Sequence, residues 1–341
     1  MANQGLNIDN LTPEQFDELL AQHEREIRLG NVPEGSRRPA APPKRWFRPL
    51  MLFVATCLST WYVGVLDSGW VGGAIYSASL MSILVFHEMG HFLQSVRYGV
   101  PASFPYFIPM PLPPIGTMGA VIFQRRGAGD RKALFDIAIS GPLAGLVLAL
   151  PMAVLGIMWS EPTYTMPTTP EFFLGAPLLF QWLIAYFHPV TSATFSLEFH
   201  PMAAAGWVGI FITALNLVPV SQLDGGHIMY ALLRKKAHIV AIGFLLLVVG
   251  YMAWTGRYQW LLMVALVTFM GPKHPPTAND NVPLGWGRKI LGWLTLAFLI
   301  IGITPDPIRY YDPGEQRPVR KPAAIELITP PQQGANPTQP G

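Results

Sequence analysis

The sequence predicts an all-α, polytopic membrane protein of about six transmembrane helices, with a re-entrant β-hairpin near its functional site. Three observations carry this. Of the 341 residues 51% are hydrophobic and only 13% charged, against roughly 25% charge in soluble domains. Apolar runs of about twenty residues, the length that spans ~30 Å of hydrocarbon, recur along the chain. Between two of those runs stand Pro101, Pro105, Pro109, Pro111, Pro113 and Pro114, which exclude a regular helix there.

Residues 1–47 form a polar N-terminal segment and tether. Thr12-Pro13-Glu14-Gln15 opens an amphipathic pattern running to Arg28, with an N-cap threonine, a first-turn proline and a capping-box glutamine. A short charged region followed by an apolar core, the mark of a cleavable secretory signal, is not legible at the start. Residues 48–304 are the expected transmembrane domain, with its core at 69–233. The predicted spans are Pro49 to Val65, Gly69 to Val96, Leu134 to Trp159, Met202 to Leu233, Ile239 to Trp254 and Leu284 to Ile303. A shorter run, Trp260 to Met270, is expected to finish a return crossing or to lie in the interface. The basic stretches Lys44 to Arg48, Arg125 to Lys132 and Arg234-Lys235-Lys236 all fall on one side, with Arg97, if the N-terminus is cytoplasmic.

The insertion Ser160 to His200 is too short for a soluble domain and contains "FFLGAPLLFQWLIAYF", expected as an interfacial helix. From Pro305 onward the chain is rich in Pro and Gln and is expected to be a disordered tail, 305–341. The net charge of +3 is too small and scattered for nucleic-acid binding. Cys57, the single cysteine, excludes an intramolecular disulfide framework and is expected as a small buried hydrophobe.

Within this apolar background, "MSILVFHEMGHFLQSVRYG" (Met81 to Gly99) is anomalous. An ionisable group at bilayer depth costs roughly 2.5–3.5 kcal/mol even on lenient scales and marks a site. His87 and His91 are four residues apart, hence on one helix face, with Glu88 beside them: the H-E-x-x-H pattern of zinc hydrolases. Asp224, in "ALNLVPVSQLDGGHI" (Ala214 to Ile228), interrupts a later apolar run that Pro219 and Gly225-Gly226 loosen. His87 lies ten residues before Arg97 and Asp224 ten before Arg234, which puts both about 15 Å from the same basic boundary. Two histidines and a carboxylate with an open fourth position suit one catalytic Zn2+ per chain. Asn216 is either a donor to a substrate carbonyl or oxyanion, or an interhelical structural hydrogen bond.

Gly116 to Gln124 is β-prone after a turn, and non-helical backbone at membrane depth survives only beside protein or a water-filled cavity. A re-entrant hairpin with Gly116, Thr117, Met118 and Gly119 as its substrate-pairing stretch is expected, a bilayer surface loop being the alternative. Gly141 and Gly145 have the small-xxx-small spacing of close helix packing. His200 and His227 are expected at hydrogen-bonded or interfacial positions rather than as ligands.

"FHEMGHFLQ" together with "NLVPVSQLDGG" resembles the site-2 protease family of intramembrane zinc metalloproteases. The resemblance extends from Ser82 to about Leu233, including "PYFIPMPLPPIGTMGAVIF" and "FDIAISGPLAGLVLALP", and these segments look most like the branch of plant chloroplast homologues and their bacterial relatives. It implies His87, His91 and Asp224 as zinc ligands, Glu88 as general base and Asn216 as a substrate-positioning residue. It also implies a transmembrane segment of another protein as substrate, with the lipid bilayer as the setting. Many bacterial members carry a PDZ domain, which is not legible here. A zincin with a downstream glutamate ligand is disfavoured, because Glu161, Glu171 and Glu198 all lie in the extracytoplasmic insertion. The non-enzyme alternative is an inactive relative or a transporter-like protein that binds helices or ions. The expected location is a bacterial inner membrane, or a chloroplast membrane.

Overall fold

The computed structural model describes residues 46–124, 129–163, 171–189, 196–220, 222–271 and 277–311, together with Glu18. The amphipathic pattern from Thr12 to Arg28 lies outside the described residues apart from Glu18.

Helix α1, Phe47–Arg97, has 51 residues; a straight helix of that length would be about 76 Å long, more than twice the hydrocarbon thickness. It does not stay straight. Ser68 and Gly69 leave helical geometry, Gly69 with φ 70° and ψ −178°, a conformation essentially reserved for glycine. The two arms fold back on each other: Thr60 Oγ1 and Ser77 Oγ are 2.8 Å apart, and a Cβ on Gly64 would stand 2.8 Å from the Gly73 Cα. The arms correspond to the first two apolar runs of the sequence.

Strands β1, Tyr106–Pro109, and β2, Thr117–Val121, form an antiparallel hairpin with Phe107 opposite Ala120 and Tyr106 opposite Val121. Pro109 closes β1, and Pro111, Pro113 and Pro114 fall in the turn, where no ladder N–H is needed. Both arms of α1 hold that turn, as Ser59 Oγ donates to the Gly116 carbonyl at 2.7 Å and Tyr76 Oη to the Ile115 carbonyl at 2.8 Å.

Helix α2, Arg131–Met158, starts at Asp130, whose carboxylate accepts the Ala133 N–H at 2.8 Å. The insertion after it differs from the expected single interfacial helix. Strand β3, Glu161–Thr163, pairs with β5, Ser196–Glu198, and β4, Glu171–Leu174, pairs with β6, Ile308–Tyr311. Helix α3 covers only Leu178–Phe187. Pro177 sets the start of α3, and Gly175 lies so close to the later chain that a Cβ there would sit 1.8 Å from the Asp306 carbonyl oxygen. Residues 308–311, expected as part of the tail, are therefore a strand; 312–341 lie outside the described residues. The all-α expectation is corrected to a mostly helical fold with three short antiparallel pairs among the described residues.

The expected span from Met202 to Leu233 is two helices, α4, Pro201–Asn216, and α5, Asp224–Leu233. Pro219 cannot continue the α4 ladder, and α5 starts close against the end of α4, where a Cβ on Gly225 would stand 2.0 Å from the Leu217 carbonyl oxygen. A 3-10 turn, Arg234–Lys236, leads into α6, Ala237–Thr255, followed by α7, Leu261–Met270, and α8, Gly285–Gly302. The ten residues of α7 are fewer than a crossing needs.

Three described stretches are long and apolar enough to cross a membrane: Phe47–Arg97, Arg131–Met158 and Asp224–Thr255. The protein is a multi-pass membrane protein, and its surface agrees, with Leu246, Leu247, Leu262 and Phe269 exposed. Its interior packs Leu80 and Ile83 of α1 with Ala149 and Ala153 of α2 and with Trp207 and Ile210 of α4. Small residues let these helices approach: a Cβ on Gly206 would meet the Ala153 backbone nitrogen at 2.7 Å, the kind of contact that holds helices together where lipid is as apolar as leucine.

Candidate metal centre

His87 and His91 sit one turn apart on the second arm of α1, both buried, and their rings meet edge to face. Their Nε2 atoms are 3.3 Å apart. The break between α4 and α5 delivers the third group: Asp224 is the first residue of α5, and its Oδ2 lies 3.3 Å from His87 Nε2 and 3.2 Å from His91 Nε2. The equal-depth count made from the sequence thus ends in contact. For a tetrahedral ion with ligand bonds of about 2.0–2.1 Å, ligand atoms are separated by roughly 3.3–3.4 Å. The three observed separations match that edge, and two imidazole nitrogens with a carboxylate oxygen are a donor set zinc favours.

Backbone fixes the orientation of one member of the cluster. His91 Nδ1 is 2.8 Å from the Ile137 carbonyl of α2; the carbonyl can only accept, so Nδ1 carries the proton and the Nε2 lone pair faces His87 and Asp224. Ser95 Oγ donates to the His91 carbonyl at 2.8 Å and itself accepts from Gln124 Nε2 at 2.9 Å, which ties the chain just past β2 to the helix that carries the histidines.

The three groups open onto a cavity of about 210 Å³ that Glu88 and Asn216 also line. Glu88 is 5% exposed. Asn216, the last residue of α4, has its side-chain nitrogen 3.4 Å from His87 Nε2 on α1, a contact between two helices that also faces the cavity. His227 lines the same cavity outside the three-residue cluster, and His200 caps α4, its Nδ1 accepting the Met202 N–H at 3.3 Å.

The hairpin residues expected to pair with a substrate are not the ones that line the cavity. Gly116 is held on α1, where a Cβ would stand 2.8 Å from the Thr60 Cα. Thr117 is buried, its Oγ1 donating to the Ile108 carbonyl at 3.0 Å and accepting the Gly119 N–H at 3.0 Å. Met118 is 61% exposed. The residues that line the cavity are instead Ala120, Val121, Ile122 and Gln124. Docking of the turn on α1 engages Gly116, and the chain from Ala120 onward lines the cavity beside His87, His91 and Asp224. Ile137 and Gln124 are the contributors that motif reading missed: a backbone carbonyl leaves no side-chain signal, and Gln124 is a lone amide after an apolar run.

A buried His-His-Asp cluster opening on a cavity beside a glutamate, set in membrane helices, defines a class, and sequence comparison agrees. Residues 75–250 match Peptidase family M50, and the chain belongs to that family of site-2 zinc metalloproteases. It is similar to the probable zinc metalloprotease EGY1, chloroplastic, of Arabidopsis thaliana, 31% identical over 239 residues that make up 66% of this chain and 42% of that protein. The protein of the same name from Oryza sativa subsp. japonica is 32% identical over 234 residues, 65% of this chain and 38% of that one. The probable zinc metalloprotease EGY2, chloroplastic, of Oryza sativa subsp. indica is 26% identical over 248 residues, 72% and 44% of the respective chains. The chain spans about two fifths of the length of these relatives. No solved structure matches.

Proposed function

We propose that this chain is an intramembrane zinc endopeptidase that hydrolyses peptide bonds within or near the transmembrane segments of other membrane proteins. The observation that carries the proposal is the convergence of His87, His91 and Asp224 on one point, 3.2–3.3 Å apart, beside Glu88 in a cavity walled by an extended strand.

His87, His91 and Asp224 would hold one zinc ion per chain, which when bound supplies Lewis-acid charge stabilisation and acidifies water to a pKa of about 7. Glu88 takes the proton of the attacking water and passes it to the leaving amine. Asn216 donates its amide N–H to the scissile carbonyl and to the charge that grows on that oxygen. A transmembrane helix hides its peptide bonds in internal hydrogen bonds, so a substrate must be held extended. The stretch Ala120–Ile122 is suited to that, because among the described residues β2 has a strand partner on one edge only, which leaves the other for a substrate backbone.

The topology that suits this chemistry has six passes and a cytoplasmic N-terminus, with the hairpin re-entrant beside the metal. It is supported by the fold-back of α1 and by the basic residues Arg97, Arg131 and Arg234, which all sit at helix ends. In it α4 and α5 share one pass, broken at the level of Asp224. A bacterial inner membrane is the location we propose; the chloroplastic names of the relatives favour a chloroplast membrane as the second choice.

The test is zinc content, together with cleavage of a panel of transmembrane substrates in liposomes, for the wild type, Glu88→Gln and Asp224→Ala. Expected are about one zinc per chain in the wild type and in Glu88→Gln, no cleavage by Glu88→Gln, and weakened zinc retention in Asp224→Ala. Cleavage that persists in Glu88→Gln would sink the mechanism, and full zinc retention in Asp224→Ala would remove the third ligand.

A further inference from the structure

The two histidines rest on α2, a helix outside the ligand cluster. Ile137, Gly141 and Gly145 recur every fourth residue of α2 and so share one face, and the imidazoles lie against it. A Cβ on Gly141 would stand 2.0 Å from His91 Nε2 and 2.4 Å from both Cδ2 and Cε1. A point 2.0 Å from Nε2 and as little as 2.4 Å from both flanking carbons stands over the flat of the imidazole rather than in its plane, directly at the nitrogen that faces Asp224. A Cβ on Gly145 would stand 3.1 Å from His87 Nδ1 and 3.2 Å from His87 Cβ, a milder encroachment. One turn before Gly141, the Ile137 carbonyl accepts the His91 Nδ1–H at 2.8 Å. The His91 ring is thus held at both nitrogens, by a hydrogen bond at one and by a bare Cα at the other.

We infer that Gly141, seconded by Gly145, is a positioning residue of the metal site: its missing side chain sets the plane in which the His91 imidazole meets His87 and Asp224. This rests on the metal site proposed above. The competing role is helix packing alone, since glycines four apart let helices approach and Gly90 of α1 lies against α2 at the same level, where a Cβ would meet the Ser140 carbonyl oxygen at 2.5 Å. The distinction matters because the group a Gly141 side chain would strike is a ligand nitrogen, which cannot move aside without leaving the cluster.

The test compares full-length wild type, Gly141→Ala, Gly145→Ala and Gly156→Ala in detergent, stripped of metal and titrated with Zn2+ and with Co2+. Gly156→Ala is the packing control, because its Cβ would stand 2.1 Å from the Ala203 backbone nitrogen on the α2–α4 crossing. Zinc affinity should fall about 100-fold in Gly141→Ala and about tenfold in Gly145→Ala, the range seen when groups that orient ligands are lost. The Co2+ absorption bands of Gly141→Ala should depart from the four-coordinate spectrum of the wild type. Gly156→Ala should lose thermal stability yet keep wild-type affinity and spectrum in its folded fraction. A wild-type chain that binds neither ion would refute the metal site itself. A wild type that binds, with Gly141→Ala binding equally well and with the same spectrum, would overturn the positioning role alone. If Gly141→Ala does not fold, Gly145→Ala decides, and wild-type affinity there overturns it.

Discussion

Arg131 offers the sharpest quantitative test of how Asp224, the proposed third ligand, is held. It opens α2, is 7% exposed, and donates from Nε to the Ala231 carbonyl at 2.6 Å and from Nη2 to the Leu232 carbonyl at 3.2 Å. Those carbonyls belong to the last turn of α5, a ten-residue helix whose first residue is Asp224. A cation at a helix C-terminus also opposes the negative end of the helix dipole. Charged hydrogen bonds contribute roughly 1.5–3 kcal/mol each and do not add fully, so replacing Arg131 by Met, which keeps the apolar stem, should cost about 3 kcal/mol. At about 2–4 °C per kcal/mol for a domain of 150–250 residues, the thermal midpoint should fall by roughly 6–12 °C. Fraying at the far end of α5 should loosen Asp224 and weaken zinc binding about tenfold. The assays are thermal unfolding in detergent and zinc titration against a competing chelator, with Arg131→Lys expected to lie between the two, because a single ammonium cannot fork across two carbonyls. An Arg131→Met protein that melts with the wild type and binds zinc as tightly would refute the cap and leave α5 held by packing alone.

Ser59→Ala frees the Gly116 carbonyl from α1; cleavage of a transmembrane substrate should fall by about fivefold with zinc content unchanged, a loss near the 1 kcal/mol of an ordinary hydrogen bond, and unchanged turnover would uncouple the hairpin from catalysis. Gly69→Val forces a β-branched residue into φ 70°, ψ −178°, at about 1–3 kcal/mol of strain, so the midpoint should drop while the glycine-tolerant neighbour change Ser68→Gly stays near the wild type. Asp136→Asn removes the carboxylate that Arg288 of α8 grips at 2.7 and 2.8 Å; with Arg288 34% exposed, solvent screening limits the loss to about 1 kcal/mol, and the same change introduced into Arg288→Ala should add almost nothing.

The histidine pair was legible because one helical turn separates its members and because a charge in an apolar run demands a reason. Asp224 was legible by counting back from Arg234 to the depth of His87. The prolines announced the hairpin, yet the part of it that lines the cavity lies just beyond the expected stretch, since the docking of Gly116 on Ser59 and Thr60 is a tertiary event with no local trace. The pairing of residues 171–174 with 308–311 was hidden for a similar reason: strands of four residues give too few alternations to register, and their partners are far apart in sequence. The break between α4 and α5 was half visible, with Pro219 and Gly225 noted as loosening elements inside what hydropathy alone makes one continuous span. Ile137 was beyond reach, because every residue has a carbonyl and only the fold decides which one meets an imidazole.

The proposed ligands come from places far apart in the chain, and that orders the assembly of the site. His91 and Asp224 are separated by 133 residues. At a synthesis rate of about 5–20 residues per second, roughly 7–27 s pass between the emergence of one and the other. Through that interval His87 and His91 have no Asp224 carboxylate to meet, and the nascent chain holds two of the three members of the proposed ligand set. On the proposed reading the site is assembled only once the pass broken between α4 and α5 has been threaded, so the chain could not act on neighbouring membrane proteins before that point.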